Sequence, residues 1–331
     1  MDKGTDKTDQ YRSPVRAIFT GISDLFRGTD EPAGLQDLPS LAGKKILITG
    51  ASSGLGFATS VELARRGAHV IMAVRSGIPE KGEAVKQKSG SAQVDMIRLD
   101  LSDLGSLDAF AGELRDKYGR LDIIICNAAM VAKRSRPVKE GLDEMFVVNY
   151  FAKFLLVNLL LKGDLMNHQG TVLPRIVIVA SESHRNPSAI DWDGFGTYEP
   201  YGIKQSVAMY GYYKLLLLTM ANELSRRLNP GGKLLCSVFA LCPGPVNSNI
   251  AREAPLIFQP LLKLVFGIFF RSPKKACRPV VYLAASPDLE GSTGIYQFLM
   301  QQKPMDAKAC DPQNGARLWE LSERLEKKIT L

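Results

Sequence analysis

Tyr210 and Lys214 stand four residues apart in the stretch YGYYK. On a helix that spacing puts both side chains on one face, about one turn apart. A phenol so placed can give a proton to a developing alkoxide or take one from an alcohol, and an ammonium beside it favours the phenolate. Tyrosine and lysine meet at this spacing on many helices, so the pair gains meaning only from its surroundings. Ser181, at the end of the apolar run 175–180, offers a hydroxyl to a substrate oxygen, and Asn149 an amide that can support a water-linked proton path to Lys214. The competing tyrosines fail the spacing: Tyr201 lies three residues before Lys204, and Tyr212 and Tyr213 lie closer still to Lys214.

A second chemical signal lies upstream. TGASSGLG, Thr49–Gly56, follows an apolar run and places Gly50, Gly54 and Gly56 around Ser52, Ser53 and Leu55. Glycines there permit a tight turn and close backbone approach, while a following helix presents unpaired amides to phosphate. No Gly-Lys-Ser or Gly-Lys-Thr ending follows, which excludes the phosphate loop of nucleotide triphosphatases and leaves a dinucleotide as the fitting ligand. After the apolar run 69–74 come Arg75 and Ser76 where an acid would receive the ribose hydroxyls of NAD. A guanidinium and a hydroxyl there suit a 2′-phosphate, which predicts NADP(H) ahead of NAD(H). The plainer alternative is that Arg75 only solvates its loop. Asp100 and Leu101 close the next run, where Asp100 either orients the adenine end or holds a local turn.

The elements that must position these residues alternate along the chain. Strand-like runs at 44–50, 69–74, 94–97, 121–126, 175–180, 234–240 and 294–299 are separated by helical patterns near 57–65, 106–118, 151–161, 206–228 and 273–285. Such alternation predicts an α/β fold with a doubly wound, mainly parallel sheet and helices on both faces. The expected division is an N-terminal extension over 1–42 with an amphipathic helix at 15–26, a nucleotide-binding domain over 43–300, and a C-terminal extension over 301–331. In that extension Leu318, Leu321 and Leu325 share a helical side that would pack on the body or on a neighbouring subunit.

Composition narrows the classes further. In 331 residues, 45% hydrophobic content supplies ample core and excludes a mainly disordered chain. The net charge of +8 is spread, with local concentrations at Lys133–Lys139 and Arg271–Arg278, and no nucleic-acid-binding signature accompanies it. Five widely spaced cysteines and three scattered histidines form neither a disulfide framework nor a metal site, which points to a reduced, intracellular compartment. The polar N-terminus lacks a secretory pattern, and no uninterrupted apolar stretch approaches the roughly 20 residues of a membrane span.

Taken together these motifs resemble the short-chain dehydrogenase/reductase superfamily over residues 43–300. TGASSGLG is similar to its cofactor loop, CNAA at 126–129 to its nucleotide-side strand ending with Asn127 and Ala128, and PGPVNS at 243–248 to its nicotinamide-side loop with Pro243, Gly244, Val246 and Ser248. Asn149, Ser181, Tyr210 and Lys214 fall at the positions of its catalytic tetrad, so Tyr210 and Lys214 also count among its cofactor contacts. Cys126 and Ala129 depart from the usual NNAG, and Ala180 stands where a first serine is common. The order of motifs and VASESH at 179–184 resemble the retinol-dehydrogenase-related branch more narrowly. The resemblance implies a Rossmann-like fold and NAD(P)-linked interconversion of alcohols with aldehydes or ketones. A catalytically inactive nucleotide-binding interaction protein is the alternative, and intact residues at all four positions favour the enzyme.

On the substrate side, residues 250–272 read as a lid whose apolar core at 255–270 would suit a lipophilic alcohol, aldehyde or ketone. A buried connector, a homodimer contact and a peripheral membrane contact aided by the following basic residues stay open for the same segment. Cytoplasmic and membrane-peripheral locations both fit these readings.

Overall fold

The apolar runs of the sequence become the strands of one sheet in a computed structural model, which describes residues 38–168, 172–246 and 271–330. The helix expected at 15–26, Ser248 and the lid, apart from Arg271 and Ser272, lie outside the described residues.

The first half alternates β1 (Lys45–Thr49), α1 (Gly54–Arg65), β2 (His69–Val74), α2 (Glu80–Ser89), β3 (Val94–Arg98), α3 (Leu107–Tyr118) and β4 (Ile123–Cys126). The second half continues with α4 (Glu144–Lys162), β5 (Arg175–Val179), α5 (Ile203–Leu228) and β6 (Ser237–Cys242). Beyond these come α6 (Pro273–Ala276), α7 (Arg278–Ala285), β7 (Ile295–Phe298), β8 (Gln301–Gln302), α8 (Ala307–Cys310) and α9 (Pro312–Thr330).

Among the described residues the sheet has eight strands in the order β3-β2-β1-β4-β5-β6-β7-β8. Its first seven strands are parallel and β8 is antiparallel to β7. This is a Rossmann-like doubly wound sheet, and strand order reverses direction between β1 and β4. At such a reversal the connections leave on opposite faces, so a crevice opens at the carboxyl ends of the two strands.

Side chains alternate across each strand, and both faces are covered. Ile46 and Ile48 of β1 enter a core with residues of α1 and α7, whereas Leu47 enters a second core with residues of α3, α4 and α5. Burial on both sides explains why these strands read as continuous apolar runs. Helix α4 is apolar and long enough to cross a membrane by length and composition, yet 72% of its apolar window is buried within the protein. Its side chains are thereby committed to the core.

Two sequence expectations shift for identifiable reasons. The strand expected at 234–240 starts at Ser237, because the amides of Leu235 and Cys236 donate to Asn229 Oδ1 at 2.7 and 3.1 Å beyond the end of α5. The helix expected at 273–285 divides at Cys277: Pro279 has no amide hydrogen to continue the ladder, and α7 begins afresh around it.

Helix α9 folds back onto the body. Leu318 and Trp319 are buried, Trp319 meets Phe154 edge-on with centroids 5.0 Å apart, and Arg227 stacks 4.6 Å from the Trp319 ring. The Tyr150 hydroxyl pairs with Ser322 Oγ at 2.6 Å, so the C-terminal helix and α4 are joined by apolar and polar contacts together. These contacts cover the second-half helices that carry the site.

Candidate active site

The turn after β1 is built for close approach. Gly50 has φ +68, and a Cβ there would stand 2.8 Å from Ala128 Cα; at Gly56 it would stand 2.5 Å from Asn127 Nδ2 and from Gly50 O. Only hydrogen fits at either position. Asn127 locks the turn to β4 by donating from Nδ2 to Thr49 O at 2.9 Å and Gly50 O at 3.2 Å. Thr49 Oγ1 accepts from the amides of Asn127 and Ala128, both at 3.1 Å. Ser53 occupies the N-cap of α1 without a side-chain capping bond, so the first turn of that helix keeps its donors for another partner.

A cavity of about 550 Å³ opens above this turn. Its walls include Gly50, Ser52, Ser53, Gly54, Leu55 and Gly56, then Arg75 and Ser76, Asp100 and Leu101, Asn127 and Ala128, and finally Pro243, Gly244 and Val246. Ser181, Tyr210 and Lys214 line the same space. These residues therefore form a continuous surface, and it fits an extended dinucleotide in three ways: glycines with no room for a side chain, an uncapped helix start, and a cation at the far end. Arg75 and Ser76 are exposed at that end. Asp100 Oδ1 accepts from both the amide and the hydroxyl of Ser102, at 3.0 and 2.7 Å, so it holds a local turn while facing the cavity.

At the opposite end α5 meets the end of β5. Gly211 makes this contact possible, since a Cβ there would stand 2.7 Å from Ser183 O. Lys214 is buried and donates from Nζ to Val179 O at 3.0 Å, with Nζ 5.5 Å from the centre of the Tyr210 ring. Burial lowers the Lys214 ammonium from its ordinary 10.5 to about 8, with the nearby Cys242 thiol opposing the shift. Burial likewise raises the Tyr210 phenol above its ordinary range; Cys242 adds to that shift and a hydrogen bond with Ser181 opposes it. The phenol is thereby kept in its proton-donating form. Ser181 Oγ accepts from Ser183 Oγ at 2.9 Å, which leaves the Ser181 proton for another acceptor.

Asn149 is placed differently. It is fully buried behind the cavity wall, with Oδ1 accepting from the Met130 amide at 2.9 Å and Nδ2 donating to Met130 O at 2.8 Å. Its partner Met130 lines the cavity. Asn149 also sits in a π-turn, Val147–Phe151, inside α4. Among the tyrosines of YGYYK, Tyr210 alone lines the cavity: Tyr212 donates to Asp191 O at 3.0 Å and Tyr213 packs against Phe146. Tyr201 is tied to Asp143, with both carboxylate oxygens 3.2 Å from its hydroxyl.

Sequence spacing missed Cys242, Gly211, His184 and Lys153. Lys153 carried a readable sign, a charge within the apolar run AKFLLVNLLL. The other three depend on contacts between distant segments.

The sequence profile described as short chain dehydrogenase matches residues 44–191. Human retinol dehydrogenase 14 is 34% identical over 325 residues, covering 93% of this chain and 91% of that protein. Human retinol dehydrogenase 13 is 31% identical, covering 96% and 95%. A crystal structure of an uncharacterised protein from Mycobacterium paratuberculosis superposes with a TM-score of 0.67 at 30% identity, covering 88% of this chain and 96% of that one. The chain belongs to the short-chain dehydrogenase family, enzymes that use NAD(H) or NADP(H) to interconvert alcohols and carbonyl compounds. Within that family it falls in the retinol-dehydrogenase-like branch.

His184 joins the serine turn to the C-terminal segment. Its Nδ1 donates to Ser181 O at 2.7 Å and its Nε2 accepts from the Asp306 amide at 3.1 Å. A second ring proton would face that amide hydrogen; burial, with the Arg185 charge next, lowers the imidazole from 6.5 to about 4. The unfolded chain therefore takes up a proton below 6.5 that the folded chain refuses until about 4. Stability should be full above pH 6.5 and fall by roughly 3 kcal/mol as pH drops through that window. Urea unfolding measured against pH should show this slope, and His184→Gln should flatten it. An unchanged slope in the variant would contradict the assignment.

Proposed function

We propose that the protein is an NADP-dependent oxidoreductase that interconverts a lipophilic alcohol with its aldehyde or ketone, with Tyr210 as acid/base. The observation that carries this reading is that Ser181, Tyr210 and Lys214 open on the same cavity as the glycine turn and Arg75. A bound nicotinamide cofactor supplies the hydride for reduction and accepts it in oxidation.

The protein's own residues do the rest. The Ser181 hydroxyl, with its oxygen already receiving Ser183, donates to the substrate carbonyl oxygen. Tyr210, kept protonated by burial, delivers a proton to that oxygen as charge develops on it. Lys214 lies close enough for its charge to favour the phenolate left behind, and with its pKa near 8 it is mostly charged at neutral pH. Asn149 keeps the Met130 wall in place.

The NADP preference rests on Arg75 and Ser76 at the cavity end, where a 2′-phosphate would meet a guanidinium and a hydroxyl. The lipophilic substrate class is supported by the retinol dehydrogenase relatives and by the apolar composition of 255–270. We assign residues 43–300 to the catalytic unit and place the protein inside the cell, a reading supported by its free thiols.

Purified protein should oxidise NADPH in the presence of long-chain or aromatic aldehydes and ketones. Tyr210→Phe should lower kcat by about a hundredfold or more while NADPH affinity stays within about twofold. Equal turnover by the two proteins would sink the proton-transfer role. Arg75→Asp should shift the ratio of kcat/KM for NADPH over NADH by about tenfold or more towards NADH. An unchanged ratio would remove Arg75 from cofactor choice.

A further inference from the structure

Lys153 is fully buried within α4, one turn beyond Asn149. Its Nζ donates to Val148 O at 2.8 Å and to Asn149 O at 2.9 Å. Both carbonyls belong to the π-turn Val147–Phe151, where the helical ladder is displaced and the ordinary four-residue bonds are interrupted. The groups that act on Lys153 are the Cys126 thiol at the end of β4 and the Lys214 ammonium on α5. A charged Lys153 would bury a second ammonium beside Lys214.

The two carbonyl bonds satisfy two donors of the Lys153 side chain. Burial and the Lys214 charge both push Lys153 well below its ordinary range.

We propose that Lys153 is a positioning residue of the active site: its buried side-chain nitrogen holds the Asn149 turn, and through it the Met130 wall, in the geometry that proton delivery at Tyr210 requires. The chain of contacts runs from Lys153 Nζ to the Val148 and Asn149 carbonyls, from the Asn149 side chain to both backbone groups of Met130, and from Met130 to the cavity. Loss of the side-chain nitrogen removes one hydrogen bond from each of the two carbonyls, that of Asn149 being buried, and loosens the turn. The inference rests on the catalytic reading of Tyr210 given above.

Two substitutions separate positioning from bulk. Lys153→Met keeps an unbranched chain and removes both donors. Lys153→Gln restores an amide donor, and side-chain amides already bond the carbonyl four residues back in this fold, from Asn158 to Phe154 O at 3.0 Å and from Asn229 to Ser225 O at 2.8 Å. Lys153→Met should lower kcat by about tenfold to a hundredfold, with NADPH affinity by fluorescence titration within about twofold, and Lys153→Gln should recover most of kcat. Active-site titration and thermal melts of each variant fix the folded fraction to which kcat is referred.

Wild-type kcat per folded site in Lys153→Met, or equal loss in the Met and Gln variants, would overturn the positioning role. Tyr210→Phe run alongside keeps the two claims apart: activity surviving there defeats the catalytic reading, whereas activity lost there and intact in Lys153→Met defeats this inference alone.

Discussion

The hydrogen bond from Lys214 Nζ to Val179 O fixes the relation between α5 and the end of β5. A lysine buried to this degree must find an acceptor, and the last residue of a parallel strand offers a carbonyl where the ladder ends. With Lys214 held there, helical geometry places Tyr210 one turn away, beside Ser181 just beyond the strand. Gly211 lets the helix come this near, because any side chain would strike Ser183 O. The lowering of Lys214 to about 8 is a consequence of the same burial.

The opposite half of the cavity answers to a similar close contact. Asn127 and Thr49 tie the ends of β1 and β4 together, and Gly50 and Gly56 supply the space that this bond pattern demands. Both halves lie at carboxyl ends of parallel strands, one at the reversal of strand order and one at the neighbouring β5. The sheet sets their separation. Flanking helices then bring in what the strands lack, Tyr210 and Lys214 from α5 and Asn149 from α4.

Much of this was readable because the relevant patterns are local. Strands buried on both faces appear as apolar runs, the glycine turn is contiguous, and a four-residue helical spacing pairs Tyr210 with Lys214. Signals carried by tertiary contact were illegible. Asn149 grips Met130 from behind the wall, a partner 19 residues away that no spacing rule selects. Asn229 shortens β6 by taking two amides that looked like strand. His184 makes sense only once Asp306 arrives from the C-terminal segment.

One cavity is lined by both the glycine turn and the Ser181–Tyr210–Lys214 cluster, and the proposed hydride transfer takes place between them. The most direct measurement is isotopic: reduction of a lipophilic aldehyde with NADPH deuterated at the transferable position of the nicotinamide, followed by mass spectrometry of the alcohol. The deuterium should appear on the former carbonyl carbon and should not exchange with solvent. An unlabelled alcohol, or label lost to water, would contradict direct hydride transfer in this site.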